Sequence, residues 1–109
     1  MDIAVHGDGL TSLQFRPSAG AATQEIRSTV TNPDRVRIER RGTRFIVYAG
    51  KGGEPLVSSG PQTVDLAGGV YVGIGVCSHD ANLQETAVFS SVHVEQSAPA
   101  AIAQRLVAK

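Results

Sequence analysis

The chain has 109 residues, which is enough for one domain with a single hydrophobic core. Its 10 Lys and Arg residues balance its 10 Asp and Glu residues, so the zero formal net charge provides no long-range attraction for nucleic acid or an anionic membrane. The single Cys excludes an internal disulfide framework, and no apolar run reaches the roughly 18 residues of a membrane span.

The N-terminal part of the chain alternates between apolar and polar residues, which indicates β-strands. Residues 2–6 read DIAVH, and the glycines and aspartate of Gly7–Gly9 then predict a hairpin turn. A second strand is predicted over 10–16 and a third over 24–30, with a small-residue loop between them. The second strand is expected to bury one row of side chains, namely Thr11, Leu13 and Phe15.

Charged and apolar residues alternate in the middle of the chain. The turn signal of Thr31–Asp34 precedes a strand predicted over 35–41, in which Val36 and Ile38 are expected to form a buried row. The segment 44–50 is apolar on both faces and therefore predicts a central strand that is covered on both sides.

The C-terminal third is expected to add further strands. Residues 62–66 predict a short strand, and 84–95 predict a last strand whose change of phase indicates a β-bulge or bend at 90–91. The Ala-rich tail 96–109 is expected to be a linker or a short frayed helix. The most apolar strand is predicted over 70–78, with a core row of Val70, Val72, Ile74 and Val76.

These segments together predict an all-β fold. Roughly seven to nine short strands separated by Gly and Pro are typical of an antiparallel β-sandwich. The sandwich is expected to span residues 1–95, with the tail 96–109 outside it.

The single cysteine, Cys77, is followed closely by His79 and Asp80, which suggests a thiolate nucleophile beside its base. Residues two apart on a strand are about 6–7 Å from each other, whereas activation of a thiol requires hydrogen-bond contact. No nucleophile signature surrounds Cys77, and cysteine is among the most often buried residue types. A buried cysteine is therefore favoured, no catalytic residue is assigned, and Asp80 is expected to form a turn.

Metal binding has weak support in the sequence. None of the softer candidate ligands has the paired spacing that is typical of structural zinc. Calcium needs several converging oxygens, which the GDG and SHD segments would supply only if their loops meet. No cofactor is therefore assigned, and calcium is kept as the alternative. The candidate ligands considered are His6, Cys77, His79, Asp80 and His93.

The stretch RVRIERRGTR, residues 35–44, is rich in arginine. It is either an anion-binding or nucleic-acid-binding surface or a solvated strand face whose charges pair across strands. Zero net charge and the lack of interleaved aromatic residues favour the solvated face, so no nucleic-acid partner is expected. The residues expected to face a ligand, if one binds, are Tyr71, Cys77, His79, Asp80, Arg35 and Arg37.

Four segments in a fixed order resemble a known family. They read GDGLTSLQFRPSAG, RVRIERRGTRFIVYAG, VYVGIGVCSHD and TAVFSSVHVE, and they resemble the C-terminal half of concanavalin A-like (laminin-G-like) jelly-roll domains. Over residues 3–95 the chain is also similar to bacterial regulation-of-enolase-like domains and to domains placed before TolB-type propellers. The resemblance implies an incomplete jelly roll without its N-terminal strands, whose exposed sheet edges are expected to favour a homodimer.

The resemblance implies a non-catalytic accessory module of a larger bacterial protein that binds a glycan or a protein. A structural spacer or oligomerisation domain is the alternative, and a fragment of a glycosidase-like enzyme is a further one. Glycosidases use two carboxylates that flank the scissile bond, whereas no predicted strand carries two carboxylates two or four residues apart. The chain is therefore not expected to be an enzyme.

The N-terminus, MDIAVHGDG, has no basic region ahead of an apolar one and does not predict a signal peptide. If Met1 is the true start, the chain as written is expected to stay in the cytoplasm. A longer parent protein that carries a signal peptide would instead be periplasmic or extracellular.

Overall fold

The computed structural model describes residues 1–96, and that part of the chain contains six β-strands and no helix. The all-β prediction is therefore confirmed. With no helix among these residues, none is present there that could cross a bilayer. The tail predicted beyond residue 96 lies outside the described residues. The strands are β1 (Asp2–Val5), β2 (Thr11–Phe15), β3 (Gln24–Arg27), β4 (Arg35–Arg41), β5 (Arg44–Gly50) and β6 (Val57–Thr63).

The first three strands form an antiparallel sheet in which β2 is central. β2 pairs Leu13 with Ile3 of β1 and with Ile26 of β3, so an apolar row crosses the sheet. The predicted inward row of β2 is confirmed, because Leu13 and Phe15 are buried. Ser12 on the other face of the strand is buried as well, so the central strand is covered on both sides.

The last three strands form a second antiparallel sheet in which β5 is central. The two-residue turn of Gly42 and Thr43 joins β4 to β5, and its positive φ of 62° at Gly42 fits a type II′ turn with glycine at the first central position. β6 begins before the strand that was predicted over 62–66, because the preceding loop returns the chain to pair Val57 with Ala49.

One face of β5 is buried, and the other is only half-buried. Val47 on one face is 1% exposed, whereas Tyr48 on the other face is partly accessible. The predicted central position of β5 is therefore confirmed, but its second face is covered only in part. The predicted burial of Val36 and Ile38 is wrong, since these side chains are 48% and 42% exposed. The reason is that β4 is an edge strand, so side chains on it have a neighbouring strand on one side only.

The two sheets contribute to one hydrophobic cluster. Partly buried side chains from the sheet margins, among them Ile3, Ile26 and Leu66, pack against it. Each small sheet therefore buries its apolar face against side chains of the other sheet, and burial of such a face stabilises a sheet of only three strands. The buried members of the cluster are Leu13, Phe15, Phe45, Val47 and Val64.

The described residues from Tyr71 onward belong to a second compact unit, and those up to residue 96 contain no strand. The strands predicted over 70–78 and 84–95 are therefore wrong. A bend does lie at Ser91, where φ is 52°, but it is not set in a strand. These segments have an alternating apolar pattern, but no other strand among the described residues pairs with them. Without a partner, a strand cannot form its inter-strand backbone hydrogen bonds. The expected core row is exposed by 43 to 73% at Val70, Val72, Ile74 and Val76.

Candidate functional site

The second sheet turns one face of β5 toward the core and the other toward solvent. Because side chains alternate along a strand, the residues opposite the core row share one surface, which we call the outer face. The pairing of β4 with β5 sets these residues side by side in three cross-strand pairs. The pairs that make up the outer face are Arg37 with Tyr48, Glu39 with Ile46, and Arg41 with Arg44.

A small network holds the middle of the outer face. Nη2 of Arg37 lies 3.1 Å from Oε1 of Glu39, and the guanidinium of Arg37 lies 4.4 Å from the centre of the Tyr48 ring. The Tyr48 hydroxyl donates a long hydrogen bond of 3.5 Å to Oε2 of Glu39. Arg37 thus lies on the outer face, where it was expected to face a ligand. Its charge is paired with Glu39, and its guanidinium stacks on the Tyr48 ring.

Arg35, the other arginine that the sequence favoured as ligand-facing, holds a loop in place. Its Nη2 donates to the carbonyl oxygens of Gly52 at 2.7 Å and Glu54 at 2.5 Å, and its Nε donates to Oδ1 of Asp34 at 3.3 Å. The other carboxylate oxygen of Asp34 accepts a hydrogen bond of 2.7 Å from the Gly52 N–H. Asp34 and Arg35 therefore clamp the loop between β5 and β6, with Nη2 of Arg35 bound to the loop carbonyls and its Nε bound to Asp34.

The hydrogen bond from the Gly52 N–H is the main cause that lowers the pKa of Asp34. Desolvation opposes it, and the hydrogen bond and the charge of Arg35 each lower the pKa further by a smaller amount. A carboxyl whose folded pKa is depressed stabilises the fold above its unfolded pKa, and this contribution is lost as the pH falls through the folded pKa. The clamp is therefore complete at neutral pH and weakens only in acid, below the usual range of aspartate.

We expect a pH titration of the Gly52 amide resonance by NMR to show a step with a midpoint below the usual aspartate range. Asp34→Asn should abolish that step, since an amide does not ionise. Asp2→Asn, a change on the exposed start of β1, is the matched control and should leave the step intact. A midpoint at or above the usual range would contradict the clamp.

Two arginines at the turn end of the outer face have no ion-pair partner among residues 1–96. Arg41 and Arg44 are direct cross-strand partners on either side of the Gly42–Thr43 turn. Within residues 1–96, the ion pairs found involve neither of them. Together with Glu39 and Ile46 they line a shallow depression. The sequence RGTR, residues 41–44, contains the signal for this pair. A two-residue turn places the residues on either side of it directly opposite each other, so Gly-Thr between two arginines predicts that they are neighbours.

Cys77 and His79 are in contact through the thiol and the backbone N–H of His79, and the imidazole ring is not involved. Cys77 is a free, exposed thiol, so the prediction of a buried cysteine is wrong, because the segment forms no strand that a sheet could cover. Its Sγ accepts a hydrogen bond of 3.4 Å from the backbone N–H of His79, not from the ring. The predicted turn at Asp80 is confirmed, since its Oδ1 accepts from the Asn82 N–H at 2.9 Å. Tyr71 is fully exposed.

The described residues also bear on the metal alternatives. Between residues 1 and 96 there is no group of three or more His, Cys, Asp or Glu side chains placed to hold a metal ion. His6 lies beside the Gly7–Gly9 turn, and its Nε2 is buried without a hydrogen-bond partner in this part of the chain. Neither the GDG nor the SHD segment is part of an assembled set of metal donors.

Comparison with known proteins adds no further information on the site. No family model matches the chain, and neither a curated protein nor a solved structure matches it. The likeness to concanavalin A-like domains therefore stays a prediction. What the chain does has to be argued from the outer face and the core.

Proposed function

We propose that the chain is a non-catalytic β-sandwich accessory module of a larger protein and that it binds a glycan through the outer face. The sandwich is supported by the cluster that the two sheets share, since Leu13 of β2 and Val47 of β5 belong to the same buried group. The jelly-roll relationship is part of this proposal and rests on the sequence resemblance.

The observation that carries the proposal is the preformed polar network of the outer face. Ligand sites combine a few fixed polar groups with some apolar surface, and here Arg37, Glu39 and Tyr48 are held in place beside Ile46. A protein-binding site would be expected to expose aromatic anchors at its centre. The Tyr48 ring is instead covered by the Arg37 guanidinium, so it offers no such anchor. A glycan on this face would be held by hydrogen bonds to the network and not by stacking on an aromatic ring.

The same surface supports a binding role over a hydrolytic one. Glu39 is the one carboxylate among the six outer-face residues, and it is paired with Arg37. Glycoside hydrolysis normally uses two carboxylates on either side of the bond that is cleaved. A glycan on the outer face would therefore be bound without being cut there.

Oligomerisation is the second candidate function, and the exposed apolar residues of the second unit favour it. Val72 is 73% exposed and Val88 is 92% exposed, and a cluster of exposed apolar side chains is the kind of surface that a second copy of the chain could cover. This candidate places the function in residues 71–96 and leaves the outer face without a ligand.

A glycan array probed with the labelled chain tests the proposal. We expect binding to a subset of glycans and a loss of about tenfold in affinity for Glu39→Gln, because the Arg37 pair is then broken. Glu25→Gln is the matched control, since Glu25 pairs with Arg27 at 3.6 Å on the first sheet, and it should bind normally. An array without hits, together with an oligomer in light scattering of the same sample, would favour the second candidate.

A further inference from the structure

We propose that Arg41 and Arg44 form an oxyanion site at the turn end of the outer face and that the glycan bound there is acidic. The group recognised would be a carboxylate or a sulfate ester on the sugar. This inference rests on the proposed function and deepens it, because it names the chemical class of the ligand.

The two arginines lie side by side on the sheet. They are direct partners across β4 and β5 and lie on the same face of the sheet. Like charges directly opposite each other destabilise a sheet, so this arrangement costs stability in the free protein. An oxyanion between the two guanidiniums would remove that repulsion and would accept several charge-assisted hydrogen bonds.

The neighbouring acid, Glu39, does not neutralise the pair. Glu39 lies two residues before Arg41 on the same face of β4, but its carboxylate is engaged by Arg37 at 3.1 Å and by the Tyr48 hydroxyl. Among the described residues, no carboxylate therefore neutralises the positive charge of the Arg41 and Arg44 guanidiniums, and a bound anion could do so.

The other arginines of residues 35–44 each have a partner within the protein. Arg35 is bound to the loop carbonyls, and Arg37 is bound to Glu39. Arg40, on the opposite face, donates to the carbonyl oxygens of Gly42 and Leu66 at 2.8 Å each. Each of these three has an assigned structural partner, which leaves Arg41 and Arg44 as the pair available to a ligand.

The surroundings of the pair favour an acidic sugar over other anionic partners. The depression also contains Ile46, whose apolar surface suits the C–H face of a sugar ring, and Glu39, which can accept from a hydroxyl. Single-stranded nucleic acid would need an open aromatic platform for its bases, but the ring of Tyr48 is covered by Arg37. The zero net charge of the chain gives no general attraction for polyanions.

The test is an NMR titration of the arginine Nε–H resonances at constant ionic strength, with sodium glucuronate, sodium sulfate and glucose as probes. We expect saturable shifts at Arg41 and Arg44 with the first two probes, at dissociation constants in the millimolar range for these small fragments, and none with glucose. Arg27, which is exposed and paired with Glu25 on the other sheet, should not respond. The ratio of the glucuronate and sulfate affinities then tells which oxyanion the site prefers.

Variants separate binding from folding. Arg41→Gln and Arg44→Gln are each expected to weaken glucuronate or sulfate binding at least tenfold, whereas Arg27→Gln leaves it unchanged. In the absence of anion and at low salt, Arg44→Gln should unfold at the same or a slightly higher temperature than the unchanged chain, because a like-charge contact is removed. A folded Arg44→Gln variant that binds as well as the unchanged chain would overturn the proposal.

The remaining outcomes are also decisive. Absence of saturable shifts at both arginines overturns the oxyanion site. If the array nevertheless shows that neutral glycans bind in a Glu39-dependent way, the proposed glycan-binding function stands without that site. Saturable anion binding with an empty array supports the site and contradicts the glycan-binding function. Tighter binding of an oligoglutamate peptide or of single-stranded DNA than of any acidic glycan would overturn the ligand class.

Discussion

Val47→Ala is expected to lower the free energy of unfolding by about 2 to 3 kcal/mol. Val47 is 1% exposed in the middle of β5 and belongs to the cluster that both sheets share. Removing two buried methyl groups loses their transfer free energy and leaves a cavity that the rigid sheets fill only in part. Urea unfolding followed by far-ultraviolet circular dichroism measures the effect, since the chain has no Trp to serve as a fluorescent probe.

The matched control is Val36→Ala, the same chemical change on the same hairpin. Val36 lies on the edge strand β4 and is 48% exposed, so we expect a loss below about 1 kcal/mol. Equal losses at the two positions would show that β4 is covered as completely as β5. That result would contradict the edge position of β4 and restore the buried row that the alternation of the sequence predicts.

Gly9→Ala is expected to destabilise the fold by about 2 to 3 kcal/mol, for two independent reasons. Gly9 has a φ of 92°, a conformation that alanine adopts only with strain. It is also buried against a neighbouring turn, where a new Cβ would lie 2.6 Å from Cγ of Asn32. The backbone N–H of Asn32 donates to the Gly9 carbonyl at 2.9 Å and keeps the two residues close, so relief of this contact requires the Asn32 side chain to rotate away. The same urea experiment measures the change.

Two further variants make this prediction specific. Gly7→Ala, two residues earlier in the same turn, has no heavy atom within 4 Å of the added Cβ and should stay within about 0.5 kcal/mol of the unchanged chain. In an Asn32→Gly background the steric part of the penalty disappears while the backbone part remains, so Gly9→Ala should cost less there. An undiminished cost would show that the strain lies in the backbone alone.

Local features of the chain were predictable because their causes are local. Gly9 of the GDG turn supplies the positive φ that the β1–β2 hairpin uses, and Asp8 accepts a hydrogen bond from the Leu10 N–H. The expected strands over 35–41 and 44–50 match β4 and β5. The turn residues and the period of two are properties of neighbours along the chain, so they can be read without knowledge of the fold.

The candidate site was predictable only as a region. The run of arginines in residues 35–44 marked it, but the sequence favoured Arg35 and Arg37, whereas the structure leaves Arg41 and Arg44 unpaired among the described residues. Arg35 is committed to carbonyl groups 17 and 19 residues away, and the partner of Arg40 at Leu66 is 26 residues away. Such partners are set by how the loops fold back, which no local pattern contains.

By itself, the sequence determined the all-β class, the turns and the strands of the first 50 residues. Only the tertiary structure decided which apolar rows are covered. Val36 and Val47 have the same side chain on the same face of one hairpin, yet one is half exposed and the other is buried. The segment from Val70 to Cys77 has the strongest strand pattern of all and pairs with no strand among the described residues. Burial depends on what packs against a side chain from elsewhere in the chain, whereas alternation shows only that a side chain is suited to being covered.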